Sequence, residues 1–285
     1  MKNWNNVIKH TTFRYIDHTN QTTFNNEPFT AMSSFAIDDA LALSVSNKAS
    51  APTLRLWAHD KSVILGIPDA RLPYLDQGVE YLRKNDYDVI IRNSGGLAVA
   101  LDSGVINLSL ILPDAKLLSI HDSYEAMYSF IQFTLRDLTT NIKAYEIVGS
   151  YCPGDYDLSI DGVKFAGISQ RRVRDGVAIQ IYLDVSGNYR ERGDMIRHFY
   201  NISLQNKETA FTYPTIQPEK MSSLSALLGI SLTVNDMKKR IYQSIEHLSE
   251  QIITQQPFSQ TELEDYKKRY DQMIKRNEKI NAKDV

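Results

Sequence analysis

Tyr151-Cys152-Pro153-Gly154-Asp155-Tyr156-Asp157-Leu158-Ser159-Ile160-Asp161-Gly162-Val163-Lys164-Phe165-Ala166-Gly167-Ile168 is the stretch that says most about this chain. Asp161-Gly162 lies between two strand-like runs and is a preferred pair for a two-residue type I′ turn. Such a turn fixes the register by counting: Ile160 faces Val163, Ser159 faces Lys164, Leu158 faces Phe165 and Asp157 faces Ala166. Ile160, Val163, Leu158 and Phe165 are then expected on an apolar face, and Lys164, Ser159 and Asp157 on a polar one. A hairpin lysine is ordinarily a solvated surface group. Two neighbours argue for more here: Gly167, whose bare backbone admits a ligand closely, and the Cys152-Pro153-Gly154 turn feeding the strand paired with Lys164. Cys152 is the one cysteine in 285 residues. A lone thiol forms no internal bridge, so it is either buried filler or a reactive group. A cation beside it favours the thiolate, the nucleophilic form.

Working upstream, a strand at 87–91 runs into Arg92-Asn93-Ser94-Gly95-Gly96, and another follows at 105–112. Paired glycines at a strand end put bare backbone where a ligand can approach, or simply join two strands; composition does not choose between these. Helical spacing is expected over 32–45, and strands over 53–58, 62–65 and 145–148. Ile120, Tyr124, Met127, Ile131, Leu135 and Leu138 form one helix face behind a Ser119/Asp122 capping box. Downstream, Val177, Ile179, Ile181, Leu183 and Val185 alternate as in a half-buried strand. Beyond Pro218 the pattern is helical: 222–228 stopping at Gly229, a helix opened by Thr233/Asp236, and a third opened by Ser259/Glu262. The expected fold is α/β of the α+β type, with mixed sheets packed against helices. Its expected divisions are a polar, loosely held arm at 1–29, a catalytic body at 30–215 and a helical extension at 216–285.

Hydrophobic residues are 42% and charged residues 23%, ordinary for a globular protein, and a net charge of −2 gives no reason to expect nucleic acid as a partner. The first residues carry no apolar run behind their charge, and no stretch is long and apolar enough to span a bilayer, so a cytoplasmic protein without membrane attachment is expected. His10, His18, His59, His121, His198 and His247 are scattered, with no pair at ligand spacing, so no metal is expected. Nothing resembles a Gly-x-Ser-x-Gly nucleophile elbow.

Residues 92–109 and 155–172 resemble the two signature segments of the biotin/lipoate protein ligase superfamily, Arg-Arg-x-Ser-Gly-Gly-Gly-Ala-Val-x-His-Asp-x-Gly-x-x-Asn-x-Ser and Asn-Asp-Leu-x-x-x-Gly-x-Lys-x-x-Gly-x-x-Gln. The resemblance covers about 35–248, including Phe35-Ala36-Ile37-Asp38-Asp39-Ala40 and Val63-Ile64-Leu65-Gly66. It implies that Lys164 is the essential lysine, and that Arg92, Ser94, Gly95, Gly96, Ala98, Asn107, Asp157 and Gly167 contact the acyl substrate. Leu97 stands for the third glycine, Leu101 for the usual histidine, Asp69 where ligases tend to carry Gln, and Asp155-Tyr156 for an Arg-Asn pair. These departures put nucleotide binding in doubt, and no cofactor is expected.

The run from Tyr151 to Asp157 is similar to the superfamily branch that moves octanoyl groups from the glycine cleavage H protein to lipoyl domains of 2-oxoacid dehydrogenases. This likeness implies ping-pong transfer through a Cys152 thioester by a monomer, with Lys164 exchanging the proton. Amides near Gly95–Gly96 or Gly167 are expected to hold the oxyanion. Leu97, Ala98 and Val99 either line the acyl tunnel or pack in the core. Three alternatives remain: an octanoyl acyl carrier protein as donor, ATP-dependent lipoate ligation, and a silent relative that only binds lipoyl domains.

Overall fold

The computed structural model describes residues 7–281; the outermost parts of the expected arm and extension, 1–6 and 282–285, lie outside them. The strands are β1 (Thr12–His18), β2 (Thr23–Phe24), β3 (Glu27–Pro28), β4 (Thr53–Trp57), β5 (Ser62–Leu65), β6 (Asp88–Ile91), β7 (Val99–Leu101), β8 (Val105–Leu112), β9 (Ile142–Ala144), β10 (Asp157–Ile160), β11 (Val163–Val173), β12 (Gly176–Asp184) and β13 (Gln251–Ile253). The helices are α1 (Ala31–Ser46), α2 (Leu75–Lys84), α3 (Ile120–Thr134), α4 (Tyr189–Leu204), α5 (Leu224–Leu228), α6 (Val234–Leu248) and α7 (Gln260–Asn281).

Eight strands form one mixed sheet in the order β13-β1-β4-β8-β12-β11-β10-β9, and a second sheet runs β6-β5-β7. The alternation at 177–185 suggested one wet face, yet every residue of β12 is buried. Val177, Ile179 and Ile181 pack with Ala126, Met127, Phe130 and Ile131 of α3, while Ala178 packs with Ala36, Ile37 and Ala40 of α1. A small residue on the second face reads as polar-tolerant in sequence but here admits a helix. α1 is itself buried nearly all round, between the sheet and α7.

The loosely held arm is corrected. Thr12–His18 is an interior strand of the large sheet, pairing in parallel with both β4 and β13. Its polar composition hid this, because Arg14 is buried by an ion pair to Glu262 at 2.7 Å. The later helices share the same core: Leu224, Leu232, Met237, Ile241 and Ile245 join the cluster containing Leu108, Leu110 and Phe130. The expected strand at 145–148 lies a few residues earlier, at β9, and Val148 is exposed. Ile120, placed on the apolar face of α3, is exposed as well. The capping boxes at Ser119/Asp122 and Thr233/Asp236 form as read, and Gly229 closes α5 with φ +64. Among the described residues, no helix is long and apolar enough to cross a membrane.

Candidate active site

The β10–β11 hairpin turns at Asp161-Gly162, with Ile160 opposite Val163 and Ser159 opposite Lys164 as counting requires. A β-bulge then shifts the register, so that Leu158 faces Ala166 and Asp157 faces Gly167. Phe165 and Ala166 both enter the core. This brings Lys164 and Gly167 to one face: a Cβ on Gly167 would stand 2.8 Å from the Tyr182 ring and 3.6 Å from Lys164 Nζ. The bulge therefore builds the functional face, which the simple count did not contain.

Lys164 is buried, not solvated. Its Nζ donates to the carbonyls of Tyr151 at 2.9 Å and Cys152 at 2.8 Å and to Ser150 Oγ at 3.2 Å, and pairs with Asp157 Oδ1 at 2.7 Å. Burial raises the Asp157 carboxyl above its ordinary value, and the Lys164 charge opposes that shift. The lysine thus clamps the turn that carries Cys152, whose own φ is +47. Non-glycine residues enter that region rarely, and only where surrounding contacts hold them.

Cys152 Sγ faces the other way from this clamp. It accepts the Leu97 N–H at 3.1 Å and an Arg92 Nη2–H at 3.4 Å. Two donors, one of them a charged guanidinium, are thus aimed at one sulfur. The cation at hydrogen-bond distance from the sulfur is therefore Arg92, while Lys164 holds the carbonyl of the same residue. Arg92 Nη2 also donates to the Leu97 carbonyl at 3.0 Å. Gly96, with φ +99, lies against both groups: a Cβ there would stand 2.2 Å from Arg92 and 2.8 Å from Sγ.

The sulfur opens on a cavity of about 250 Å³. Buried Phe35, Trp57, Ile64, Val99 and Leu101 form its apolar wall, and Gly95, Gly96 and Asp155 are at its exposed rim. Of the residues expected at the substrate, Arg92, Gly95, Gly96, Asn107, Cys152, Asp157 and Gly167 line it together. Three do not line it. Lys164 lies behind Cys152, and Ser94 is buried with its hydroxyl unpartnered. The Ala98 N–H instead donates to Tyr200 Oη at 3.3 Å. Of the candidate tunnel residues only Val99 lines the cavity; Leu97 contributes its amide. The sequence reading also missed Tyr182, Gln180 and Tyr124 on the wall. Gln180 could have been found in the alternation of β12, where it is the one amide on the Ala178 face.

A mixed sheet enclosing an apolar slot, with a thiol at its mouth and a clamped lysine behind it, can take up an apolar chain and bring its end to a nucleophile. The chain belongs to the lipoyl protein ligase A/B catalytic domain family, whose model matches residues 30–246. The octanoyl-GcvH:protein N-octanoyltransferase of Oceanobacillus iheyensis is 59% identical to it over 278 residues, covering 98% of this chain and 99% of that protein. The lipoyl-GcvH:protein N-lipoyltransferase of Listeria monocytogenes is 44% identical over 277 residues, covering 97% and 98%. Among solved structures, a lipoate protein ligase of Thermoplasma acidophilum with bound lipoic acid has a TM-score of 0.65 at 16% identity, covering 91% of this chain and 94% of that one. Lipoate-protein ligase A bound with ATP gives 0.65 at 16%, covering 91% and 93%. At such identity these two share the fold.

Proposed function

We propose that this chain is a cytoplasmic, monomeric acyltransferase that moves an octanoyl or lipoyl group from the glycine cleavage H protein to the lysine of dehydrogenase lipoyl domains, through a thioester on Cys152. The carrying observation is the sulfur at the mouth of an apolar cavity, faced by the Leu97 amide and Arg92. The two relatives are named for GcvH as donor and for octanoyl and lipoyl groups, which supports this reading.

In the first half-reaction Sγ adds to the amide carbonyl carbon of the donor's acyl-lysine. The C–N bond breaks, and the nitrogen leaves as an amine after taking a proton. In the second, the acceptor lysine's neutral amine adds to the thioester carbonyl. The C–S bond breaks, the thiolate returns, and the surplus proton leaves the nitrogen. The resemblance makes Lys164 the candidate proton donor and acceptor; its Nζ bonds the Cys152 carbonyl and does not line the cavity, so it must release that carbonyl to reach the reacting nitrogen. The Leu97 N–H points at the sulfur, so it also borders the space where the carbonyl oxygen gains charge, and one such donor contributes about 3–4 kcal/mol. Leu97 and Leu101, where ligases resembling this chain carry glycine and histidine, are both buried apolar side chains here, and Leu101 adds to the acyl wall.

The test is intact-mass analysis after mixing the protein with octanoylated H protein or with octanoylated acyl carrier protein. Loading of the wild type by the H protein supports the reading. Loading by the carrier alone moves the protein to the other donor class, and turnover of Cys152→Ala with free lipoate and ATP makes it a ligase.

A further inference from the structure

Beneath the Gly96–Ala98 backbone lies a chain of buried polar groups that the transfer reaction leaves unused. Asp69, at the start of a short 3-10 turn, is wholly buried, and Tyr200 on α4 is nearly so. Asp69 Oδ2 accepts the Gly66 N–H at 2.7 Å, and Asp69 Oδ1 accepts the Tyr200 hydroxyl at 2.9 Å. Tyr200 Oη in turn accepts the Ala98 N–H at 3.3 Å. The preceding amide, Leu97 N–H, is the one that reaches Cys152 Sγ. Leu97 and Ala98 are adjacent in the chain, so anchoring the Ala98 amide on Tyr200 restrains the Leu97 amide beside it. Asp69 grips the other support as well, because Gly66 abuts Gly96: a Cβ on Gly66 would stand 1.8 Å from the Gly96 carbonyl oxygen.

We propose that Asp69 and Tyr200 form a positioning relay that holds the Gly96–Ala98 backbone so that the Leu97 amide faces the Cys152 sulfur. The relay rests on the reading of Cys152 as the nucleophile. Its direction follows from donor counting. Ala98 can only donate, so the phenol oxygen must accept from it and give its own proton to Asp69. Protonating Asp69 adds a third donor where Gly66 N–H and Tyr200 O–H already point at the carboxyl, and the relay loosens. Burial lifts the Asp69 carboxyl to about 6, opposed by the Gly66 amide, the Tyr200 hydroxyl, the Arg92 charge and the Ala98 amide, which acts on Asp69 as well as on Tyr200. The other titratable groups facing this network are Tyr213, whose phenol is raised by burial and by Asp69 and has Arg71 nearby, and Cys152, which acts on Tyr200. The carboxylate form prevails above pH 6 and is lost below it.

The experiment is alkylation of Cys152 by iodoacetamide, followed by intact mass at pH values on both sides of 6, with each rate divided by that of a free thiol, N-acetylcysteine, at the same pH. In the wild type the corrected rate should fall about tenfold below pH 6, the factor carried by one ordinary hydrogen bond. Tyr200→Phe and Asp69→Asn should alkylate about tenfold more slowly at neutral pH and show no such step. A purely structural role would lower the melting temperature while leaving the step in place. A flat corrected profile in the wild type, or a Tyr200→Phe rate equal to wild type, overturns the relay. The wild-type profile decides the matter even if a variant fails to fold. A wild-type thiol that does not alkylate at all overturns the nucleophile reading, and with it what the relay would serve. A reactive thiol indifferent to Asp69 and Tyr200 overturns the relay alone.

Discussion

Cys152 is held in a left-handed backbone by a lysine that bonds two successive carbonyls, Tyr151 and Cys152, and its sulfur is turned toward Arg92 and Leu97. Two predictions belong to single residues. Arg92→Leu removes a charged donor to the sulfur, a contact of the kind that contributes about 1.5–3 kcal/mol, so alkylation of Cys152 should slow by roughly ten- to a hundredfold. An unchanged rate would mean that Arg92 does not act on the thiolate. Gly96→Ala sets a methyl against Arg92 and Sγ at a φ that L-residues avoid, so acyl loading should be lost in a protein that still folds, as circular dichroism would show. In sequence, Asp161-Gly162 set Lys164 opposite Ser159, and the resemblance rather than composition singled out Gly95 and Gly96, which sit at the rim of the cavity. What could not be read was the bulge at Phe165, since strand alternation carries no mark for one extra residue. Nor could the sequence show that an amide, that of Leu97, would face the sulfur, since every residue but proline has one.

At the scale of elements, the site depends on parts distant in sequence. β6 is an edge strand, and its last residue, Ile91, leads directly into Arg92. Asn277 of α7 closes that edge: its carboxamide accepts the Ile91 N–H at 2.7 Å and donates to the Ile91 carbonyl at 3.2 Å. Asn277 is fully buried, so Asn277→Ala leaves two backbone groups without partners and should destabilise the protein by about 1–3 kcal/mol in urea unfolding. A neutral result would show that water replaces the carboxamide. Helix starts were legible here, because the capping boxes name their own positions. β1, β7 and β13 were not, being short or rich in polar residues that are buried only by partners elsewhere in the chain.

Across the whole molecule, a fully buried Arg55–Asp38 pair at 2.7 Å ties β4 to α1, and Asp38 also accepts from Ser109 and Gln180 on the neighbouring strands. Arg55 in turn donates to His18 Nδ1, and His59 lies against Ser34. Burial, helped by the Arg55 charge, lowers both histidines to about 3. A base with a depressed folded pKa contributes stability above its unfolded value of 6.5, and that stability is lost as pH falls toward 3. Each histidine should therefore cost about 1.4 kcal/mol per pH unit below 6.5, and His59→Gln should flatten the acid slope of the melting temperature relative to wild type. An identical slope would show that His59 is protonated in the folded state. The measurement closest to the central claim is the intact mass of wild type and Cys152→Ala after incubation with octanoylated H protein. The wild type should gain one octanoyl unit and lose it when a lipoyl domain is added, while the variant gains nothing. Equal labelling of the two, or transfer to the lipoyl domain by the variant, would contradict a thioester on Cys152.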